Sequence, residues 1–544
     1  MATFTVSNLF DSGTGSFRQA IFNANTQAGM DEIIFDTGGV PSTITLTSGA
    51  LNIADSLNIL GPGANLLTVS GNNNSRIFNI DDRGSNILDV LISGLTVTNG
   101  KSTSSGGGIF NRAGDLKIVN STISGNRVEG SDSVYNYYYN YYDNFGFGYY
   151  TDAGDGSGGG IYNSGELTIT NSIIRDNTVY GGDSFKPNPG NGNGGGIFNS
   201  SGSLEVNNSI ISGNRAFGGY SEYTSGTGNG GGIFNRSGDV TLNSSTVSGN
   251  GAFGGVGFGR GGTADGGGIV NTSGDLVVTN STITDNRVEG GSAVLGNAGN
   301  SYGGGISGDV TVIDSTISSN TAKGGDGFSG AANGYGGGIS GQVTVINSTI
   351  SGNTAKGGNC NYGNSGNGNG GGIWGSGTLT NSTITGNTAK GGSGYGFTCY
   401  YYSSGIGVGS GIVNTNTITI TSSIVAGNTD ADDISGGFTS GGNNLIGIDP
   451  LLGPLQNNGG FTETHALLPG SPAIDAGSNP LGLLTDQRGS GFNRTLGSQT
   501  DIGAFEVQPS PSTSVPEPSS IFGFIGLVIL GTGSLLRRKR QNKS

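Results

Sequence analysis

Three acidic residues crowd the segment Asn428-Thr-Asp430-Ala-Asp432-Asp433, and paired carboxylates are what glycoside hydrolysis uses. That reaction sets its two carboxyl groups about 5–9.5 Å apart, on either side of the bond to be cut. Acids one to three positions apart on a single turn do not flank a sugar ring in this way, so the segment reads as a corner turn. A second pattern is a column: Asp239, Asp275 and Asp309 occupy one position of a repeat, with Asp115 and Glu166 in earlier copies. Carboxylates a repeat apart could hold Ca²⁺, which takes six to eight oxygens. The expected role is plainer: a solvated turn residue bonding its own backbone, with no cofactor required. His465, the sole histidine, has no partner motif and reads as structural.

Two further groups have chemistry to offer. Tyr135, Tyr137, Tyr138, Tyr139, Tyr141 and Tyr142 crowd one insertion, followed by Phe145, Phe147, Tyr149 and Tyr150, with a smaller echo at 397–402. Tyrosine gives rigid amphipathic contact area at low entropic cost, and its face can stack on sugar rings. The competing reading is a low-complexity loop without a ligand. Cys360 and Cys399 are the only cysteines, in successive insertions at the same corner. Loops leaving stacked coils lie side by side, so a disulfide is feasible outside the cytoplasm. Closing that 40-residue segment would contribute on the order of 3–4 kcal/mol.

What positions all of these is a phrase the chain repeats, clearest as GGGIFNSSGSLEVNNSIISGN from Gly194 to Asn214. It begins at Gly106, Gly158, Gly194, Gly230, Gly266, Gly303, Gly336 and Gly370, with a worn copy at Gly409. The step between copies is 33 to 39 residues, except the first, which is 52. A period of that size signals a solenoid, array or propeller. Within a copy the apolar runs are short, β-branched and broken by Gly, Asn and Ser, which argues for strands. Glycine at this density would cost a helix roughly 1 kcal/mol per position. Three strands per copy make one coil, each strand pairing with its counterpart about 4.8 Å along the axis. Isoleucine then stacks on isoleucine, and the closing asparagines (Asn126 through Asn428) form a corner column, tolerating left-handed backbone and bonding through their amides. The expected fold is all-β, a right-handed parallel β-helix.

Between each closing Asn and the next Gly triplet lies an insertion of 15 or 16 residues in most copies, 31 in the first and 21 in the eighth. All leave at one corner and should line one edge of the rod. Domain boundaries follow: residues 1–105 form an N-terminal cap and irregular coils, 106–428 the regular repeats and 429–507 a C-terminal cap region. Residues 508–520 are a Pro/Ser linker and 521–544 an apolar run with a basic tail. Ser16 can cap a short helix with apolar face Phe17, Ala20, Ile21 and Ala24, a lid for the first coil. The 16 uncharged residues 521–536 fall short of the ~20 that span a bilayer comfortably, and Ser519 and Ser520 can lengthen them. Arg537, Arg538, Lys539 and Arg540 then place the C-terminus in the cytoplasm and the rest outside.

Glycine supplies 112 of 544 residues without a Gly-X-Y period, which excludes collagen. Beyond the last 29 residues the chain holds 18 basic and 36 acidic residues, net −18. So acidic a body repels nucleic acid.

Val515-Pro516-Glu517-Pro518, an apolar run and a basic cluster together resemble the PEP-CTERM sorting signal. The resemblance implies processing by an exosortase-type membrane enzyme in a Gram-negative host making exopolysaccharide. Ser471-Pro-Ala-Ile-Asp-Ala-Gly477 and Asp501-Ile-Gly-Ala-Phe-Glu506 resemble the choice-of-anchor Q region of bacterial surface β-helices, and Asp11-Ser-Gly-Thr-Gly-Ser-Phe-Arg-Gln-Ala-Ile21 is similar to their N-terminal cap. The repeats resemble those of polymorphic outer-membrane proteins and pectate-lyase-like folds. Such proteins carry an N-terminal secretion signal, not visible at Met1 to Val6, so the true start is expected upstream, the alternatives being another export route or a vestigial anchor. The Asn-Thr-Asp and Asp-Asp pair at 428–433 is similar to polygalacturonase motifs, but there the motifs lie on successive coils and are joined by Gly-His-Gly and Arg-Ile-Lys, which this chain lacks.

The expected function is a non-enzymatic, monomeric cell-surface or matrix rod, anchored by a single-pass membrane helix until processed and associated with other cells or polysaccharide. The alternative is a polysaccharide lyase or hydrolase. An acidic cluster with Arg or Lys on an open face would favour the enzyme; stacked Asn, Ser and Thr would favour the surface protein.

Overall fold

In the computed structural model the described residues are 1–509, without 83, 85, 86, 113, 141–144 and 395–402; of 137–140 and 145–149 only the backbone is described. Residues 1–507 form one compact unit. Of the second unit, 508–544, only Gln508 and Pro509 belong to the described residues.

Each copy winds once around the axis. Ile109, Ile161, Ile197, Ile233, Ile269, Ile306, Ile339, Ile373 and Ile412 follow one another in parallel register, and none is exposed to solvent. The chain is a parallel β-helix. In the third coil, strands Ile197–Asn199 and Leu204–Asn207 belong to a first face that gathers 23 strands, and Ile210–Ser212 to a second face of 13. Alternation sends Ile197, Leu204, Val206 and Ile211 inward, the period-2 pattern of a half-buried strand.

Three strands per copy prove too few. After the closing Asn the chain forms an exit strand, Arg215–Phe217 in the third coil, and before the next Gly triplet a return strand, Gly228–Asn229. These stack into sheets of nine and eight strands. Their inward residues are small (Val179, Ala216, Ala252, Val288 and Ala322 on the exit side) and make minor cores of their own. Short, glycine-flanked strands with alanine cores give almost no apolar run, which is why the insertion reads as loop.

Beyond these strands the insertions stack into a glycine fin. Gly219 N–H donates to Gly190 O, Gly226 to Gly219, Gly255 to Gly226, Gly262 to Gly255 and Gly291 to Gly262, all at 2.8–2.9 Å. The zigzag alternates between the outgoing and returning arms, and continues to Gly405. The arms lie so close that a Cβ on Gly291 would land on the carbonyl oxygen of Gly255.

The corner backbone differs in one respect from expectation. The closing asparagines are not the left-handed residues. Gly125, Gly213 and Gly249 just before them take that conformation (φ 62–66°), as do Asn120, Asn171 and Asn208 (φ 46–49°) at the preceding corner. Glycine's missing Cβ serves the first site and Asn's tolerance of αL the second, leaving the closing Asn free to face inward.

The helix Phe17–Asn25 forms as expected, with Ser16 Oγ accepting from Gln19 N and Phe17, Ala20, Ile21 and Ala24 buried. Phe17 packs edge-on against Phe35 and Phe78, centroids 5.0 and 6.0 Å away. At the other end Ile434–Ser435, Thr439–Gly442 and Leu445–Ile446 continue the winding. The chain then folds back as a flap along the outside of the second face. Thr316 Oγ1 donates to Glu463 O (2.6 Å), Thr349 Oγ1 to Gln487 Oε1 (2.6 Å), and Ala504 N to Thr383 Oγ1 (3.1 Å). The segment expected to cap the last coil thus also covers the flank of coils six to eight. Among the described residues no helix is long and apolar enough to cross a membrane.

Candidate functional site

Polar residues in the corners are largely consumed by the fold. From Asn126 to Asn387, each closing asparagine donates its N–H and its Nδ2 to Oδ1 of the next, at 2.9–3.0 Å; Asn214 on Asn250 is typical. Asn428 makes the same two donations to Asp433 Oδ1, at 3.0 and 2.7 Å. Asp433 therefore ends the ladder as its terminal acceptor, and Asp430 sits in a turn at φ 74°. A serine column runs beside it, Ser209 N donating to Ser245 Oγ and Ser245 N to Ser281 Oγ. A third column, Asn111 to Asn271, links amides at 2.7–2.8 Å and stops where copies six to eight lose three residues.

The acidic column belongs to the same scheme. Asp239 Oδ1 accepts from Asp275 N and Asp309 Oδ1 from Gln342 N, both at 3.0 Å; Glu166 accepts from Ser203, and Asp115 pairs with Lys117. Each of the four meets a protein donor. Among the described residues no group of three or more His, Cys, Asp or Glu is placed to hold a metal ion.

His465 lies in the flap, Nε2 against Ser351 Oγ (2.8 Å) and Nδ1 against Gly453 O (2.7 Å), and burial holds its pKa below the usual 6.5. Cys360 is a buried free thiol, donating to Phe328 O and accepting from Gly363 N. Cys399, its expected partner, lies outside the described residues. The tyrosine insertion is a hairpin, Tyr135–Asn140 antiparallel to Phe145–Tyr150, consistent with the strand preference of alternating aromatics. The Tyr135 and Tyr150 rings are 4.8 Å apart; Tyr137, Tyr138 and Tyr139 are described in backbone only, and Tyr141 and Tyr142 not at all. Val515, Pro516, Glu517, Pro518, Arg537, Arg538, Lys539 and Arg540 also lie outside the described residues, as does the run 521–536.

What the sequence reading missed is on the outer surface. The second face carries two outward columns: Thr122/Ser124, Thr246/Ser248 and Thr282/Thr284, interrupted by Ile173/Arg175 and Ile210/Ser212. In coils six to eight the same columns (Thr316/Ser318, Thr349/Ser351, Thr383/Thr385) are buried by the flap. In earlier coils they are open, beside a trough of about 580 Å³ lined by Asn65, Thr96, Thr122, Asn171 and Arg175.

The corner between return strand and first face carries an aromatic ridge. Phe110, Tyr162, Phe198 and Phe234 follow one another at 4.9–5.3 Å on the first face. Tyr302 and Tyr335 continue on the return strand at 4.9 Å, with Trp374 5.0 Å from Tyr335. In coil five the ridge breaks. Val270 replaces the ring after Phe234, and Asp265 replaces the ring before Tyr302. Desolvation pushes Asp265 up to about 6, and among the described residues no hydrogen bond or cation offsets it. The one available clue is an aromatic beside most Gly triplets, two residues after the third Gly in coils one to four and eight and just before the triplet in coils six and seven.

No family model and no curated protein matches the chain. Among solved structures it is similar to the pectate lyase Pel9A (13% identity, 93% of this chain and 97% of the other, TM-score 0.35). It is also similar to the A-module of the Azotobacter vinelandii mannuronan C-5 epimerase AlgE4 (11% identity, 82% and 98%, TM-score 0.28) and to ORF18 of Geobacillus virus E2 (12% identity, 82% and 63%, TM-score 0.26). These are likenesses of fold.

Proposed function

We propose that this chain is a non-enzymatic surface or matrix rod that retains extracellular polysaccharide. On this reading it is exported, then anchored or processed through its PEP-CTERM-like tail by an exosortase-type enzyme. The observation that carries the reading is the make-up of the open second face: hydroxyl pairs in coils one, four and five, interrupted in coils two and three by Ile173/Arg175 and Ile210/Ser212. Hydroxyls donate and accept at once, and their repeat along the axis suits a polyhydroxylated chain. Most acids that could serve catalysis are instead committed to ladders and turns.

The test is incubation of the full chain with a glycan panel, scored separately for retention and for chain scission. Retention without new chain ends is expected. Release of shortened products, unsaturated or reducing, would instead support a polysaccharide lyase or hydrolase, and neither outcome on any glycan would remove the polysaccharide role.

A further inference from the structure

The aromatic ridge is broken once, in coil five, and the break is chemically unbalanced. Asp265 stands in strand register between Asn229 and Tyr302. Asn229 offers it nothing: its Nδ2 donates to Asn193 Oδ1 (2.8 Å) and Thr227 Oγ1 (3.0 Å). Among the described residues no Lys or Arg pairs with Asp265, and no donor reaches its carboxylate. The Tyr302 hydroxyl feels that charge, and its pKa is raised by burial first, and by Tyr335 and Asp265 in addition.

The rings on either side leave faces unused. Tyr302 stacks on Tyr335 at an interplanar angle of 7°, so its opposite face looks toward coil five, where Asp265 occupies the equivalent position. On the neighbouring strand Phe234 is followed by Val270, so its outer side also meets no ring. Val270 and Asp265 fill the inner part of the layer between them, but both side chains are shorter than the rings beside them, so neither covers a full ring face.

The molecule shows elsewhere what such a setting takes. At the start of the same ridge the Arg76 guanidinium lies 4.6 Å from the Phe110 centroid, its N–H groups on Gly106 O and Ser105 O. In the flap, Arg488 lies between Phe492 and Phe505, at 4.0 and 3.8 Å, with Asp486 on its edge. Ring faces plus a carboxylate are the elements of a cation site. Coil five has both and supplies no cation of its own.

We propose that the break at Asp265 binds one organic cation, a primary ammonium or guanidinium, with Asp265 as counter-ion and Tyr302 and Phe234 as ring walls. This rests on the polysaccharide reading in one respect: it makes the retained glycan an amine-bearing one. The acidic body, net −18 before the tail, draws in polycations and disfavours polyuronates.

Three probes test it on the full chain: a glucosamine hexamer, its fully N-acetylated counterpart, and agmatine, which carries amine and guanidinium without sugar. Wild type should hold the amine hexamer about 10-fold more tightly than the acetylated one, as expected for a charge-assisted pair over a ring. Asp265→Asn should erase that preference and agmatine binding together, while leaving the acetylated hexamer unchanged. Tyr302→Leu should weaken both cations several-fold, with the melting curve confirming that each variant folds. If Asp265→Asn keeps the preference, or wild type has none, the cation site is wrong while polysaccharide retention stands. If neither hexamer binds but agmatine does so through Asp265, the cation site stands and its extension to an amine-bearing glycan falls. Agmatine binding that ignores Asp265 overturns the inference.

Discussion

At the scale of single residues, the closing asparagines stabilise the rod by being satisfied at every atom. Asn250 accepts from Asn214 N and Nδ2, donates to Asn286 Oδ1 from both its own nitrogens, and donates to Ile211 O. Asn250→Ala leaves buried donors on Asn214 without an acceptor, so a loss of about 3 kcal/mol is expected in denaturant unfolding. A change at an exposed strand end such as Asn243→Ala should move it by less than about 0.5 kcal/mol. Glu506 supplies a pH-dependent counterpart. Burial first, then the charge of Asp501, raises it to about 7 against the N–H groups of Asp501 and Leu496 and the charge of Arg494. A folded pKa above the unfolded one of about 4.3 means the folded state holds the extra proton. Its stabilising contribution is therefore complete at acid pH and is lost as pH rises through about 7. His465 acts oppositely, weakening the fold as pH falls, and Asp486 with Arg488 forms a buried pair close by. The readout is thus the difference between wild type and Glu506→Gln: melting temperatures from about pH 5 to about pH 8 should fall less in the variant.

At the scale of elements, the glycine fin and the flap are each held by a device that side-chain pattern does not display. The fin depends on close backbone approach, so Gly291→Ala should cost about 1–3 kcal/mol by overpacking and open the fin to protease. Ala332, which stands on the return arm where neighbouring coils have Gly299 and Gly366, already accommodates a methyl group, so Ala332→Gly should change stability by about 1 kcal/mol at most. The contrast with legible elements is physical. The isoleucine and asparagine columns could be read because each inward position repeats one residue type, and the helix because Ser16 and its apolar face are local signals. The exit and return strands could not, because an alanine core and glycine edges carry no hydrophobic alternation. The flap's docking rests on threonine hydroxyls meeting Gln487 and Glu463, contacts separated by more than a hundred residues. The aromatic ridge switches strand midway, so neither half alone reads as a column, and Asp265 at the switch looks like one more turn acid.

At the scale of the whole molecule, one winding per copy makes length and stability nearly additive. Every coil contacts its neighbours through the same stacked strands and through the closing-asparagine and serine columns, so removing one complete winding should bring equivalent surfaces together. Deleting residues 194–229 joins Asn193 to Gly230, replacing a junction between an identical pair, Asn229 and Gly230. The ladders then close as Asn177 on Asn250 and Ile161 on Ile233, both matched in type. The shortened chain is expected to fold cooperatively, keep its strand spectrum, and lose about 4.8 Å of length by small-angle scattering. Deleting half as much, residues 194–211, removes both first-face strands and most of the second-face strand Ile210–Ser212 while leaving Asn214 and the exit strand behind. It should give a chain that aggregates or unfolds, because inward isoleucines would meet no counterpart and buried amides no acceptor. Equal stability of the two deletions would mean that the coils do not act as units, and that ridge, fin and hydroxyl face owe their alignment to something other than the repeat.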